Sequence, residues 1–176
     1  MQYQYLNLDN QKDLIEGVVL RKLKVHEDST GELVETLRKD WSDVFNESDL
    51  NFAMQYMSTT PSGIARDEDK WHVHQFQKDR FICVSGRIVT AIYDPRENSR
   101  TKGILNLYTM SPYKENEMYM IIIPEETYHG FIVTSKTYGY LLNFPTQLYN
   151  PTDEGRVDHK GEFDWDIVRK DFSIET

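Results

Sequence analysis

Short apolar-rich runs of strand length recur along most of the chain, and some of them alternate between apolar and polar residues. In an extended strand, successive side chains face opposite sides, so such alternation marks a half-buried strand. Strand-like runs occur at 17–25, 52–58, 71–76, 80–85, 87–93, 103–109, 118–123, 130–134 and 138–144, and 52–58 and 71–76 alternate. Gly, Pro, Asn, Asp and Ser punctuate them, as turns require. Gly86 separates two of the runs and reads as a turn or bulge. Helical spacing is weak. Glu35, Leu37, Trp41 and Phe45 predict one or two turns within 33–45, and 164–172 predicts another near the C-terminus. About eight strands at such spacings, with few helices, predict an all-β sandwich or barrel with short peripheral helices. The segments 94–102 and 111–117 read as surface loops rather than linkers.

A chain of 176 residues suits one domain with a single core. With 20 Lys and Arg against 29 Asp and Glu, its formal charge is −9. That argues against nucleic acid as a partner, since phosphate binding needs a basic patch. It leaves room for an anionic small ligand, because a few local cations can outweigh the overall sign. No stretch approaches the length of a membrane-spanning helix. The N-terminus lacks a basic and apolar leader pattern, and the one cysteine, Cys83, cannot form an internal disulfide. Both features carry the expectation of a cytoplasmic protein.

The densest chemistry lies in Trp71-His72-Val73-His74, followed by Asp79, Arg80 and Gly86. On a strand, His72 and His74 project to one face. Pro124-Glu125-Glu126-Thr127-Tyr128-His129 places a third histidine at a turn-to-strand junction. Three histidines converging inside one barrel admit three uses: acid–base catalysis near neutral pH, metal ligation with Asp79 as a fourth ligand, or a hydrogen-bonded structural set. His26 and His159 sit in polar surroundings without such a pattern.

The run His72-Val-His74, four residues, Asp79, six residues, Gly86 resembles the first motif of the cupin superfamily, with Asp where Glu is usual. Pro124 to His129 resembles the second, with Glu126 where Gly is usual. A resemblance over most of the chain is to the dTDP-4-dehydrorhamnose 3,5-epimerases. It rests on Ile15-Glu-Gly-Val-Val, Lys24-Val, Asp28-Ser-Thr-Gly31, Ile123-Pro-Glu with His129-Gly-Phe, and Leu148-Tyr-Asn-Pro151 with Glu154-Gly155, in that order. His72-Val-His74 through Cys83-Val-Ser-Gly86 is also similar to the sugar 3,4-ketoisomerases.

This resemblance implies an all-β cupin jelly-roll in a single domain, 1–176, with the barrel at about 15–150 and a C-terminal extension at 151–176. It implies a homodimer acting on a nucleotide-linked 4-keto-6-deoxy sugar, with no cofactor. A proton leaves the carbon beside the ketone, a cation steadies the enolate, and an acid on the other face completes inversion. The implied roles are His72 as base, Arg80 as enolate stabiliser and Tyr149 as acid, with His74 and His129 lining the site. Glu35 and Gln55 fall at nucleotide contacts, Arg66 or Lys70 at the phosphate, and Glu154 among the substrate-binding set. Thr30 and Leu33 replace the Arg and aromatic of the nucleotide pocket, and Asp79 or Asp166 stand as acidic partners of the base. The other readings are a cupin dioxygenase or small-molecule isomerase with a divalent metal on His72, His74, Asp79 and His129, and a sugar-binding cupin without activity.

Overall fold

The computed structural model describes residues 3–45, 53–159, 161 and 163–174. Its strands are β1 (Tyr3–Leu6), β2 (Val19–Lys22), β3 (Val25–Asp28), β4 (Gly31–Val34), β5 (Tyr56–Thr60), β6 (Lys70–His74), β7 (Asp79–Ser85), β8 (Ile88–Tyr93), β9 (Leu105–Met110), β10 (Tyr119–Ile123), β11 (Tyr128–Val133), β12 (Gly139–Asn143) and β13 (Glu154–Asp158). A six-stranded sheet runs β1-β9-β8-β11-β6-β13, and a five-stranded sheet runs β2-β10-β7-β12-β5. The hairpin β3-β4 stands as a separate pair. Almost every pairing is antiparallel; β1 with β9 is parallel. The fold is the all-β architecture that the alternation predicts.

The two sheets enclose the main core, in which Leu6, Phe81, Ile88, Ile92, Tyr108, Ile121, Phe131 and Leu141 meet. A second cluster lies around the short helix α1 (Asp166–Asp171), where Trp165, Val168 and Phe163 cover Trp71, Val89, Leu107 and Ile132. A third packs Trp41, Val44 and Phe45 beside Ile82, Met120 and Phe144. These packed apolar faces are the dominant favourable term.

Three departures from the sequence pattern have physical causes. The predicted run 17–25 breaks at Leu23 into β2 and β3, and Leu23 turns into the third cluster. The predicted helical turns within 33–45 are isolated turns after β4, such as the Phe45 amide donating to the Trp41 carbonyl. Their apolar spacing serves that third cluster instead of a helix. β1 and β13 extend the six-stranded sheet outside the 15–150 span, and both are polar-rich edge strands. Phe52, at the start of one expected strand, lies outside the described residues. Gly86 adopts φ +78° in the β7–β8 turn, where a Cβ would sit 2.6 Å from Ser135 Oγ. No described helix is long and apolar enough to cross a membrane.

Candidate active site

A cavity of about 450 Å³ opens between the two sheets, within the usual range for small-molecule sites. From the six-stranded sheet, β6 contributes His72 and His74, β11 contributes His129, and β13 contributes Glu154 and Arg156. From the five-stranded sheet, β5 contributes Tyr56, β7 contributes Asp79 and Phe81, and β12 contributes Leu141. Strand alternation explains the selection. His72 and His74 face in while Trp71 joins the outer cluster. Cross-strand pairing places His72 opposite both His129 and Arg156, and His74 opposite Glu154. The His72 and His129 rings stack with centroids 5.2 Å apart, and His72 and His74 lie 4.6 Å apart.

Asp79 anchors the floor. It is 3 % exposed. Its Oδ1 accepts Gln77 Nε2 at 2.9 Å and Asn143 Nδ2 at 2.8 Å, and its Oδ2 lies 3.1 Å from His129 Nε2. Burial alone would raise its pKa. The His129 hydrogen bond, the charges of His129 and His74 and the Asn143 hydrogen bond outweigh burial and hold it below the ordinary carboxylate value. His74 Nδ1 lies 3.3 Å from Asp153 Oδ2, whose Oδ1 is fixed by the amides of Gln75 and Phe76.

His72 differs from its neighbours. Its Nδ1 and Nε2 each stay 3.9 Å from a carboxylate, Asp67 and Glu154 respectively. Those distances are too long for hydrogen bonds, and its buried Nε2 has no partner among the described residues. Burial, then the charges of His129, Arg156 and His74, push its pKa down to about 3. The ring is therefore neutral at neutral pH, and it lines the cavity.

Several expected residues lie elsewhere. Arg80 does not enter the cavity. Because Asp79 and Phe81 face in, Arg80 faces out, donating to the carbonyls of Phe144 and Val44, with its guanidinium 4.7 Å from the centre of the Phe45 ring. It cannot steady an enolate there. Lys70, at the start of β6, does not line the cavity; Arg66 does. Glu35 is ion-paired with Arg38 at 2.6 Å, and Gln55 is exposed between the lining residues Met54 and Tyr56. Tyr149 stands at the rim, 70 % exposed. Asp166 pairs with Arg169 on α1, away from the histidines. Among the described residues, positive charge is not concentrated at the mouth. Arg66 and Arg156 share the lining with Asp67, Asp79 and Glu154, and Arg156 is paired to Glu154 and Asp67.

The metal reading fits poorly. Ring nitrogens direct their lone pairs within the ring plane, and the His72 and His129 rings lie in near-parallel planes, 15° apart, with centroids 5.2 Å apart, rather than turned towards one shared point. The Asp79 oxygens are already engaged by side-chain donors. Among the described residues, no group of three or more His, Cys, Asp or Glu side chains is arranged to hold a metal ion.

Asp67, Gln77, Asp153, Arg156 and Tyr56 had no signal in the motifs, and Asn143 had only a faint one, as a polar residue near the end of an apolar strand run.

The model of the dTDP-4-dehydrorhamnose 3,5-epimerase family matches residues 12–175. The chain belongs to this family. It is 38% identical over 146 residues to the "Probable low-salt glycan biosynthesis epimerase Agl13" of Haloferax volcanii, covering 81% of this chain and 87% of that protein. The dTDP-4-dehydrorhamnose 3,5-epimerase of Sulfolobus tokodaii superposes with TM-score 0.70 and 25% identity, covering 86% and 82% of the two chains. The dTDP sugar isomerase of Desulfovibrio desulfuricans G20 shares the fold at TM-score 0.75 and 24% identity, covering 86% and 92%. As a member of the epimerase family the chain is an enzyme, a sugar-nucleotide epimerase.

Proposed function

We propose that the enzyme epimerises a dTDP-linked 4-keto-6-deoxy sugar at a carbon beside the ketone, with His72 as the base. The observation that carries this is His72 itself, a cavity-lining imidazole held neutral, whose Nε2 has no hydrogen-bond partner among the described residues. Hydrogens next to a ketone are acidified, and a positioned imidazole suits their removal. Arg156, cross-strand from His72, supplies the positive charge that the sequence reading sought in Arg80. Arg66 has no carboxylate partner among the described residues and is the group for an anionic diphosphate. Enolisation draws only on acid–base groups, so the proposed reaction needs no cofactor.

The names of the matched relatives support thymidine diphosphate as the nucleotide. We further propose one cupin domain across 1–176, a homodimer, and a reducing, cytoplasmic setting for the buried thiol Cys83. Sedimentation at twice the chain mass tests the homodimer.

The functional test is proton NMR of dTDP-4-keto-6-deoxyglucose incubated with the enzyme. A new epimer supports the proposal. An unchanged sugar that nevertheless raises the melting temperature points to a binding protein and overturns it.

A further inference from the structure

Both ring nitrogens of His74 face protein groups, and the hydrogen-bond polarity around them can be worked out. Gln77 Nε2 donates to Asp79 Oδ1 at 2.9 Å and lies 2.9 Å from His74 Nε2. Asp79 is held ionised and can only accept, so the nitrogen end of the Gln77 amide must face it. That nitrogen cannot accept either. Its second hydrogen goes to His74 Nε2, which is the acceptor and carries no proton. The ring proton therefore sits on Nδ1. Nδ1 is buried without a hydrogen bond of its own, and its contact is electrostatic, to Asp153 Oδ2 at 3.3 Å.

Asp153 is the residue before β13. Its side chain is 5 % exposed. Its Oδ1 accepts from the amides of Gln75 at 3.0 Å and Phe76 at 2.9 Å, just past the end of β6. One carboxylate thus ties the start of β13 to the end of β6, and the His74 Nδ1–H stands at its other oxygen. β13 needs such a tie. It is an edge strand, and none of its five residues is buried, so apolar packing holds it weakly. Its register sets Glu154 opposite His74 and Arg156 opposite His72. A slip of one residue would turn Arg156 to the other face of the sheet.

We infer that His74 is a positioning residue, which acts through Asp153 to fix β13 so that Arg156 stands opposite His72. The inference rests on the proposed epimerase reaction, in which Arg156 supplies positive charge. The two histidines of β6 then have separate duties: His72 meets the substrate, and His74 holds the strand that brings Arg156 to it.

The first test is nitrogen-15 NMR of the wild-type protein at pH 7, with the His74 ring assigned through the backbone. Expected is a proton on Nδ1 and none on Nε2. A proton on Nε2 overturns the inference. The second test is solvent deuterium uptake by dTDP-4-keto-6-deoxyglucose, with circular dichroism and melting temperature confirming that each variant is folded. Asn places an amide nitrogen where Nδ1 stands, whereas Gln reaches only the Nε2 position. His74→Gln is expected to lower kcat at least about 10-fold, and His74→Asn to restore it to within about threefold of wild type. Added to Arg156→Met, His74→Gln is expected to cost nothing further, because it acts through Arg156. Losses that multiply in the double variant overturn the inference. So do equal losses in the Asn and Gln variants, or a Gln variant within about threefold of wild type. If wild type takes up no deuterium, the epimerase proposal fails, while the ring proton still decides the part assigned to His74, which separates the two ideas.

Discussion

Replacing Asp79 by Asn removes one negative charge and almost no volume. The remaining Asn oxygen can keep the two bonds from Gln77 and Asn143. The new amide nitrogen then faces His129 Nε2, where the carboxylate had accepted. Two donors cannot share that contact, so His129 must move its proton to Nδ1, whose neighbour is the Thr127 carbonyl at 3.4 Å. A charge-assisted bond becomes a neutral one, with a loss of about 2 kcal/mol. The depressed pKa of Asp79 gives the same sign, because the ionised form is favoured despite full burial. A depressed carboxylate contributes stability above its unfolded pKa and loses it as pH falls through the folded value. The deficit of Asp79→Asn against wild type is therefore full at pH 7 and shrinks below about pH 4. Urea denaturation at pH 7.5 reads it as a midpoint lowered by about 1 M, for a slope of about 2 kcal/mol/M. Nitrogen-15 NMR of His129 reads the tautomer change directly. A variant as stable as wild type, or more stable, would mean that burying the charge costs more than its bonds return, and would refute the reasoning.

Other consequences follow for the rest of the site. Because the His72 pKa is lowered to about 3, kcat/KM of the free enzyme stays level from pH 8 down to about pH 5, with no acid limb near 6.5. On unfolding, the released His72 binds a proton below about pH 6.5, so stability falls by about 1.4 kcal/mol per pH unit between pH 6 and 4. His72→Asn flattens that slope in urea titrations, and an unchanged slope contradicts the assignment. Arg80→Met costs about 2 kcal/mol by removing two carbonyl bonds and the Phe45 contact. It leaves kcat/KM of the folded enzyme within about threefold, and a loss above about 100-fold would restore Arg80 to the chemistry. Burial pushes the Cys83 thiol up to about 12, so the native protein resists thiol reagents at pH 8 and reacts once denatured in urea.

The sandwich was legible because short strand-length runs recur between turn residues, and 52–58 and 71–76 alternate openly. That alternation also placed His72 and His74 on one face, as observed. The misplaced residue came from matching motifs without counting faces. Asp79 and Arg80 are neighbours on β7, and one strand cannot turn both into the same cavity. The strand Glu154–Asp158 escaped because Glu-Gly-Arg-Val-Asp, at a sheet edge with one wet face, has no apolar signature. Arg156 was hidden with it. Tyr56 could not be singled out among 11 tyrosines, because its place depends on Asn143, 87 positions away. That contact lies across the fold, which spacing along the chain does not record.

The central claim is that His72 removes a proton from the carbon beside the ketone. The most direct test is solvent deuterium uptake by dTDP-4-keto-6-deoxyglucose, followed by NMR with wild type and His72→Asn. The account predicts uptake by wild type at a carbon next to the ketone, reduced at least about 100-fold in the variant. Uptake by folded His72→Asn at the wild-type rate would contradict it.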